Sequence, residues 1–189
     1  MSTRGFLGFV AEGRETIVYN HSDSYPEVLG IAALHYARGI TDRAAAKKAA
    51  AEIIHVAEEV PPTDEQITAL SRYTNLAVGR RGDRPEWYQL LHQTQGDPAA
   101  ILAAGHAEHH PQWPADSPFC EWGFLLDFDR GVLEVYRGGQ TAAHTSGRFH
   151  DRVAEHPIGG FHPVRLIASY PLDDLPSDQR IRSLDRSGA

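Results

Sequence analysis

Trp122-Gly123-Phe124-Leu125-Leu126-Asp127-Phe128-Asp129-Arg130-Gly131-Val132-Leu133-Glu134-Val135-Tyr136 is the stretch that decides the fold. Trp122, Phe124, Leu126 and Phe128 alternate with Gly123, Leu125 and Asp127, the period of two of a strand with one buried face. Asp129-Arg130-Gly131 is turn chemistry, and a second β-prone run follows it, so the stretch reads as a hairpin. Near the start, runs over 6–10 and 16–19 flank Glu12-Gly13 and read as another hairpin, and 164–170 supplies a fifth strand.

Between the hairpins the pattern is helical. Ser24-Tyr25-Pro26-Glu27 has capping-box spacing and opens a helix over 25–39. Thr41-Asp42 caps a second over 44–60, with Ile53, Ile54, Val56 and Ala57 as its apolar stripe. Thr63 and Gln66 open a third, Asp83 and Pro85 a fourth, and Asp97-Pro98 a fifth that ends at Gly105. Residues 106–118 read as a polar loop, and 137–163 as a long loop of the kind that often carries function. The expected fold is α+β. About five strands, two hairpins plus a last strand, form an antiparallel sheet, with the helices inserted between the hairpins and packed on one face. A single domain spans 1–182, and 183–189 form a frayed polar tail.

The 189 residues carry 25 acidic against 18 basic side chains, a formal charge of −7 that full protonation of the 11 histidines would bring to +4. A net acidic chain without a basic face disfavours a nucleic-acid partner. The lone Cys120 excludes an internal disulfide and suits a reducing compartment. No apolar run approaches the roughly 18–20 residues of a membrane span, and residues 1–10 lack the form of a signal peptide, so the chain reads as cytoplasmic with no membrane partner. Phosphate-binding loops, dinucleotide glycine motifs, G-x-S-x-G and C-x-x-C are all missing from the sequence, and no cofactor is called for.

Chemistry concentrates where the second strand meets the first helix, at Tyr19-Asn20-His21-Ser22-Asp23-Ser24-Tyr25. A strand end feeding a helix N-terminus attracts an anion. His21 can serve as general base, Asp23 can orient it, and Ser24 or Tyr25 can donate a proton or attack. Ser24 is also what a helix cap requires, and His21 and Tyr25 can equally be hydrogen-bonded structural groups. His106, His110, Asp116 and Cys120 raise the question of zinc, but Gly105 and Pro111 leave little helix to align them, and no metal site is assigned. Asp127 and Asp129 lie two apart on a strand, a weak carboxylate pair whose members also suit a turn and a solvent-facing position.

Thr3-Arg4, the hairpin after it, His21-Ser22-Asp23-Ser24-Tyr25-Pro26, and the later hairpin over 121–136 resemble a group of uncharacterised bacterial and phage proteins. Its members open with Thr-Arg and carry an H-x-D-[SG]-Y-P segment. The resemblance leaves the helical middle unmatched, and Ser22 stands where some members place tryptophan, removing a stacking surface. It implies a fold and no reaction. It also adds Thr3 and Arg4 as ligand-binding candidates, with Arg4 holding an anionic group. Removal of Met1 would expose Ser2 as an N-terminal nucleophile, although the group's matching residue is Thr3. Two functions follow as expectations. One is a protein handling a small anionic or polar molecule, in its most concrete form a hydrolase using His21. The other is a non-catalytic interaction protein with a protein partner.

Overall fold

The computed structural model describes residues 3–80 and 82–187. The chain opens with β1 (Gly5–Ala11) and β2 (Arg14–Asn20), joined by a tight turn in which Glu12 and Gly13 both take positive φ, 54° and 73°. That backbone matches the twist of a two-residue hairpin. A π-helical turn over Pro26–Gly30 runs into α1 (Ile31–Gly39), and α2 (Arg43–Ala51) follows with Asp42 accepting from the Ala45 amide. There the expected second helix ends. Ile54–Val56 form a strand, β3, because Ile53 is drawn into the core and the residues after it pair with a distant segment.

The next helices are short: α3 (Asp64–Ala69), α4 (Trp87–Leu90) and α5 (Pro98–Ala104), the last closed by Gly105 at φ 63°. The expected capping box of Thr63 and Gln66 is present at α3, and Asp97 caps α5. β4 (His106–Glu108) then pairs with β3 in parallel, replacing the loop expected over this segment. β5 (Trp122–Asp127) and β6 (Val132–Arg137) are the second hairpin, β7 (Arg165–Pro171) joins it, and α6 (Asp178–Arg182) packs behind. Ser183–Ser187 continue as a 3-10 turn that buries Leu184, so this stretch docks instead of fraying.

The fold is α+β, and its main sheet runs β2-β1-β5-β6-β7. It is mixed, not purely antiparallel, because β1 and β5 pair in parallel with Gly5 opposite Trp122 on one side and Asn20 on the other. Gly5 is required at this junction. A β-carbon there would stand 2.1 Å from the Trp122 carbonyl oxygen and 2.7 Å from Ser24 Cβ.

Both faces of β5 are covered, which corrects the half-buried reading. Leu7, Phe9, Trp122, Phe124 and Leu126 meet the helices through Leu29, Leu34 and Ile101. Phe6, Ile17, Leu125 and Tyr136 meet Phe149 and Val164 from the long loop on the other side. That loop also inserts Arg148 over two carboxylates, Asp127 and Glu134, whose side chains are each 1% exposed. Arg148 donates Nε to Glu134 at 2.9 Å and NH2 to Asp127, and the Tyr136 hydroxyl donates to Glu134 at 2.6 Å. Asp129 turns elsewhere and accepts both amides of the β1–β2 turn together with Lys47. The Asp127–Asp129 pair is thereby divided between two structural duties.

Among the described residues no helix is long and apolar enough to cross a membrane. Replacing Arg148 with Leu should leave buried Asp127 without its ion pair and Glu134 with only its 2.8 Å pair to Arg130, and cost about 3–5 kcal/mol of unfolding free energy. Urea unfolding of Arg148→Leu would measure this, and partial recovery is expected when Asp127→Asn is added.

Candidate functional site

β2 is an edge strand, and the segment after β4 covers its outer edge. The Ile17 amide donates to His109 Nδ1 at 3.0 Å, and the His110 amide donates to the Ile17 carbonyl at 2.9 Å. His109 must therefore be neutral with its proton on Nε2. His55 from β3 stacks on His109 at 4.2 Å between ring centroids, and its Nε2 lies 2.8 Å from Thr16 Oγ1. Burial, His109 and Arg14 push His55 down to about 4, and burial lowers His109 as well.

This seam sets β4 beside β2 and opens a cleft of about 360 Å³ between them and the helical segment around α4. Val18 and Tyr19 of β2, Ala107 and Glu108 of β4, and Trp87, Tyr88 and Leu91 line it. The Trp87 indole is fixed by donation to the Val60 carbonyl at 2.7 Å and by stacking on His106. Tyr19 stands edge-on to Trp113 and shares a 3.1 Å hydrogen bond with His21 Nδ1. Burial raises the Tyr19 phenol against an opposing pull from Arg4.

Glu108 is the chemically poised group. Val56 pairs with Glu108 across β3–β4, which brings Glu58, two residues on, to the same cleft, and Glu86 enters from the start of α4. The Arg80 amide donates to Glu86 Oε1 at 2.9 Å, a close approach that Gly79 permits because a β-carbon there would lie 2.2 Å from the same oxygen. Glu108 is half-buried, and among the described residues its carboxyl makes no hydrogen bond or ion pair. Burial first, then the charges of Glu58 and Glu86, push it up to about 7.

A second hollow of about 390 Å³ adjoins the first across Gln95, and His21, Asp23, Asn20 and His92 line it. Of the residues expected to form the site, His21 and Asp23 therefore face a concavity. The others do not converge on it. Ser24 is fully buried, accepting from Asn20 Nδ2 at 2.8 Å and donating to the Asn20 carbonyl, so it neither caps the helix nor presents a nucleophile. Tyr25 donates to Asp23 at 3.2 Å, at a point where Asp23 takes a φ of 56°. Arg4 is exposed and Thr3 is half-buried, and their carbonyls accept from the Glu121 and Ser24 amides. Met1 and Ser2, and with them the N-terminal-nucleophile reading, lie outside the described residues.

Among the described residues no group of three or more histidine, cysteine, aspartate or glutamate side chains is placed to hold a metal. Cys120 is buried and directs its thiol to the Trp122 carbonyl, while His106 stacks on Trp87. No family model, curated protein or solved structure matches the chain. The geometry of the cleft is what bears on function.

The histidine seam has a pH signature. Because the fold holds His55 and His109 below the unfolded value of about 6.5, the unfolded chain takes up protons first as pH falls. Stability should be full above pH about 6.5 and should decline toward pH about 4. Partial exposure of the His55 ring reduces the effect to about 1–2 kcal/mol. Chemical denaturation at the two ends of this window should show a smaller loss in His55→Asn than in wild type.

Proposed function

We propose that the protein handles a small polar molecule in the cleft beside Glu108, and that Glu108 moves a proton during that handling. The supporting observation is the coincidence of an aromatic-lined cleft with a half-buried carboxyl that no group among the described residues satisfies. A carboxyl near 7 can hold a proton for a leaving group or take one from water at neutral pH, as general acid–base catalysis requires. Hydrolysis is the reaction class that this single proton carrier fits. His21 sits on the neighbouring hollow, where the Tyr19 hydroxyl links the two spaces, and it contributes to ligand placement. A cytoplasmic setting belongs to the same reading and is supported by the single buried thiol of Cys120.

The alternative of a non-catalytic interaction protein draws on a different surface. Exposed Phe119, Val153, Ile158 and Phe161 surround the strand-free part of the long loop, and Ile158 and Phe161 line a third hollow there.

A thermal-shift screen against small polar metabolites tests the leading reading. A ligand at 100 times its Kd should add about 2.7 kcal/mol to wild type, and Glu108→Gln should abolish most of that gain. If the bound compound is a substrate, its cleavage should follow a pH profile that bends near 7 in wild type and loses that bend in Glu108→Gln. Hits that stabilise both proteins equally, or that act only through residues around Phe161, would transfer the function to the other surface.

A further inference from the structure

The cleft is unevenly charged. Glu58, Glu86 and Glu108 all face it, whereas among the described residues Arg80 is the one permanent cation of its lining, is exposed and makes no ion pair with any of them. The contact of Arg80 with Glu86 is made by its backbone amide, not by its guanidinium. Desolvation lowers the His110 imidazole against an opposing pull from Glu58, and burial raises the Tyr19 phenol. The rest of the lining is apolar or aromatic: Val18, Leu91 and Ala107 with Trp87 and Tyr88.

The partial burial of Glu108 strengthens the repulsion it feels from Glu58 and Glu86. A positive group placed among them would relieve that repulsion, and the aromatic lining from Trp87 and Tyr88 would favour the same group. Resting on the reading of this cleft as a ligand site, we propose that its ligand is an organic cation: a protonated amine carried on an apolar or aromatic body. The ammonium lies between Glu108 and Glu58, and the body lies along Val18, Leu91 and the aromatic rings. Entry of the cation favours ionised Glu108, so binding expels a proton into solvent. No covalent bond changes in this step.

Three compounds with similar bodies and different charge test the proposal: 2-phenylethylamine, 2-phenylethanol and 3-phenylpropionate, titrated calorimetrically into the full chain at pH 7. The amine should bind at least about tenfold more tightly than the alcohol, and the propionate most weakly. Heats compared between phosphate and Tris buffers should show release of about half a proton per amine bound, as expected for a group near 7. Glu108→Gln should weaken the amine about tenfold, spare the alcohol and abolish the proton release. Glu58→Gln, at an exposed position, should weaken the amine without endangering the fold. Equal affinity for amine and alcohol would overturn the cation assignment while leaving the cleft a ligand site. Tighter binding of the propionate, amine affinity unchanged in both variants, or no binding of any of the three would also overturn it.

Discussion

The outer edge of β2 is the constraint on which the rest of the structure depends. A bare edge strand exposes amides and carbonyls that either template aggregation or must be covered. Here the cover comes from the far end of a long excursion, where His109 accepts through its side chain and His110 donates through its backbone at the single residue Ile17. The contact requires an uncharged imidazole. Stacking on His55 reinforces that state, since two adjacent rings cannot cheaply share positive charge.

Everything distinctive about the cleft descends from this contact. Once His109 is anchored on Ile17, Glu108 is held at the inner wall and β3 is drawn alongside, so that Glu58 follows. The excursion leaves the sheet at Asn20 and returns at Trp122, both opposite Gly5, and between those points it has to fold over one end of the sheet and along its edge. The opposite face is closed independently by the long loop through Phe149 and the Arg148 ion pairs. The central strands are thus covered on both faces, and the cleft carboxylates lie at the sheet's edge.

How much of this was legible in the sequence depended on how local each signal was. The hairpins were, because Glu12-Gly13 and the alternation around Trp122 are complete within a few residues. So were the caps at Thr63 and Asp97 and the stop at Gly105. The strand at Ile54–Val56 was not, because an alanine-rich helix leads into it and its partner lies some fifty residues later. β4 was hidden for a second reason: His106-Ala107-Glu108 has little β propensity, and only pairing makes it a strand. The histidines on either side point to metal ligation, a signal that masks Glu108 between them. Ser24 shows the converse. Its spacing to Glu27 matches a capping box, but the cap position falls on Tyr25 and Asn20 claims the Ser24 hydroxyl in the buried corner behind Gly5. His21 and Asp23 line a concavity, since a strand-to-helix junction opens one irrespective of what lies elsewhere. The loop over 137–163 lacks a period, so its cover of the sheet through Phe149 and Arg148 has no local signal.

Glu108 is raised toward neutrality because it is half-buried, has no hydrogen-bond partner among the described residues and is faced by two other carboxylates. Carboxyl carbon-13 NMR, with Glu108 assigned by its loss in Glu108→Gln, measures this directly. The account predicts a midpoint of about 7 that falls when Glu58 is replaced by Gln. A midpoint at the ordinary glutamate value of about 4.3, unmoved by Glu58→Gln, would contradict it.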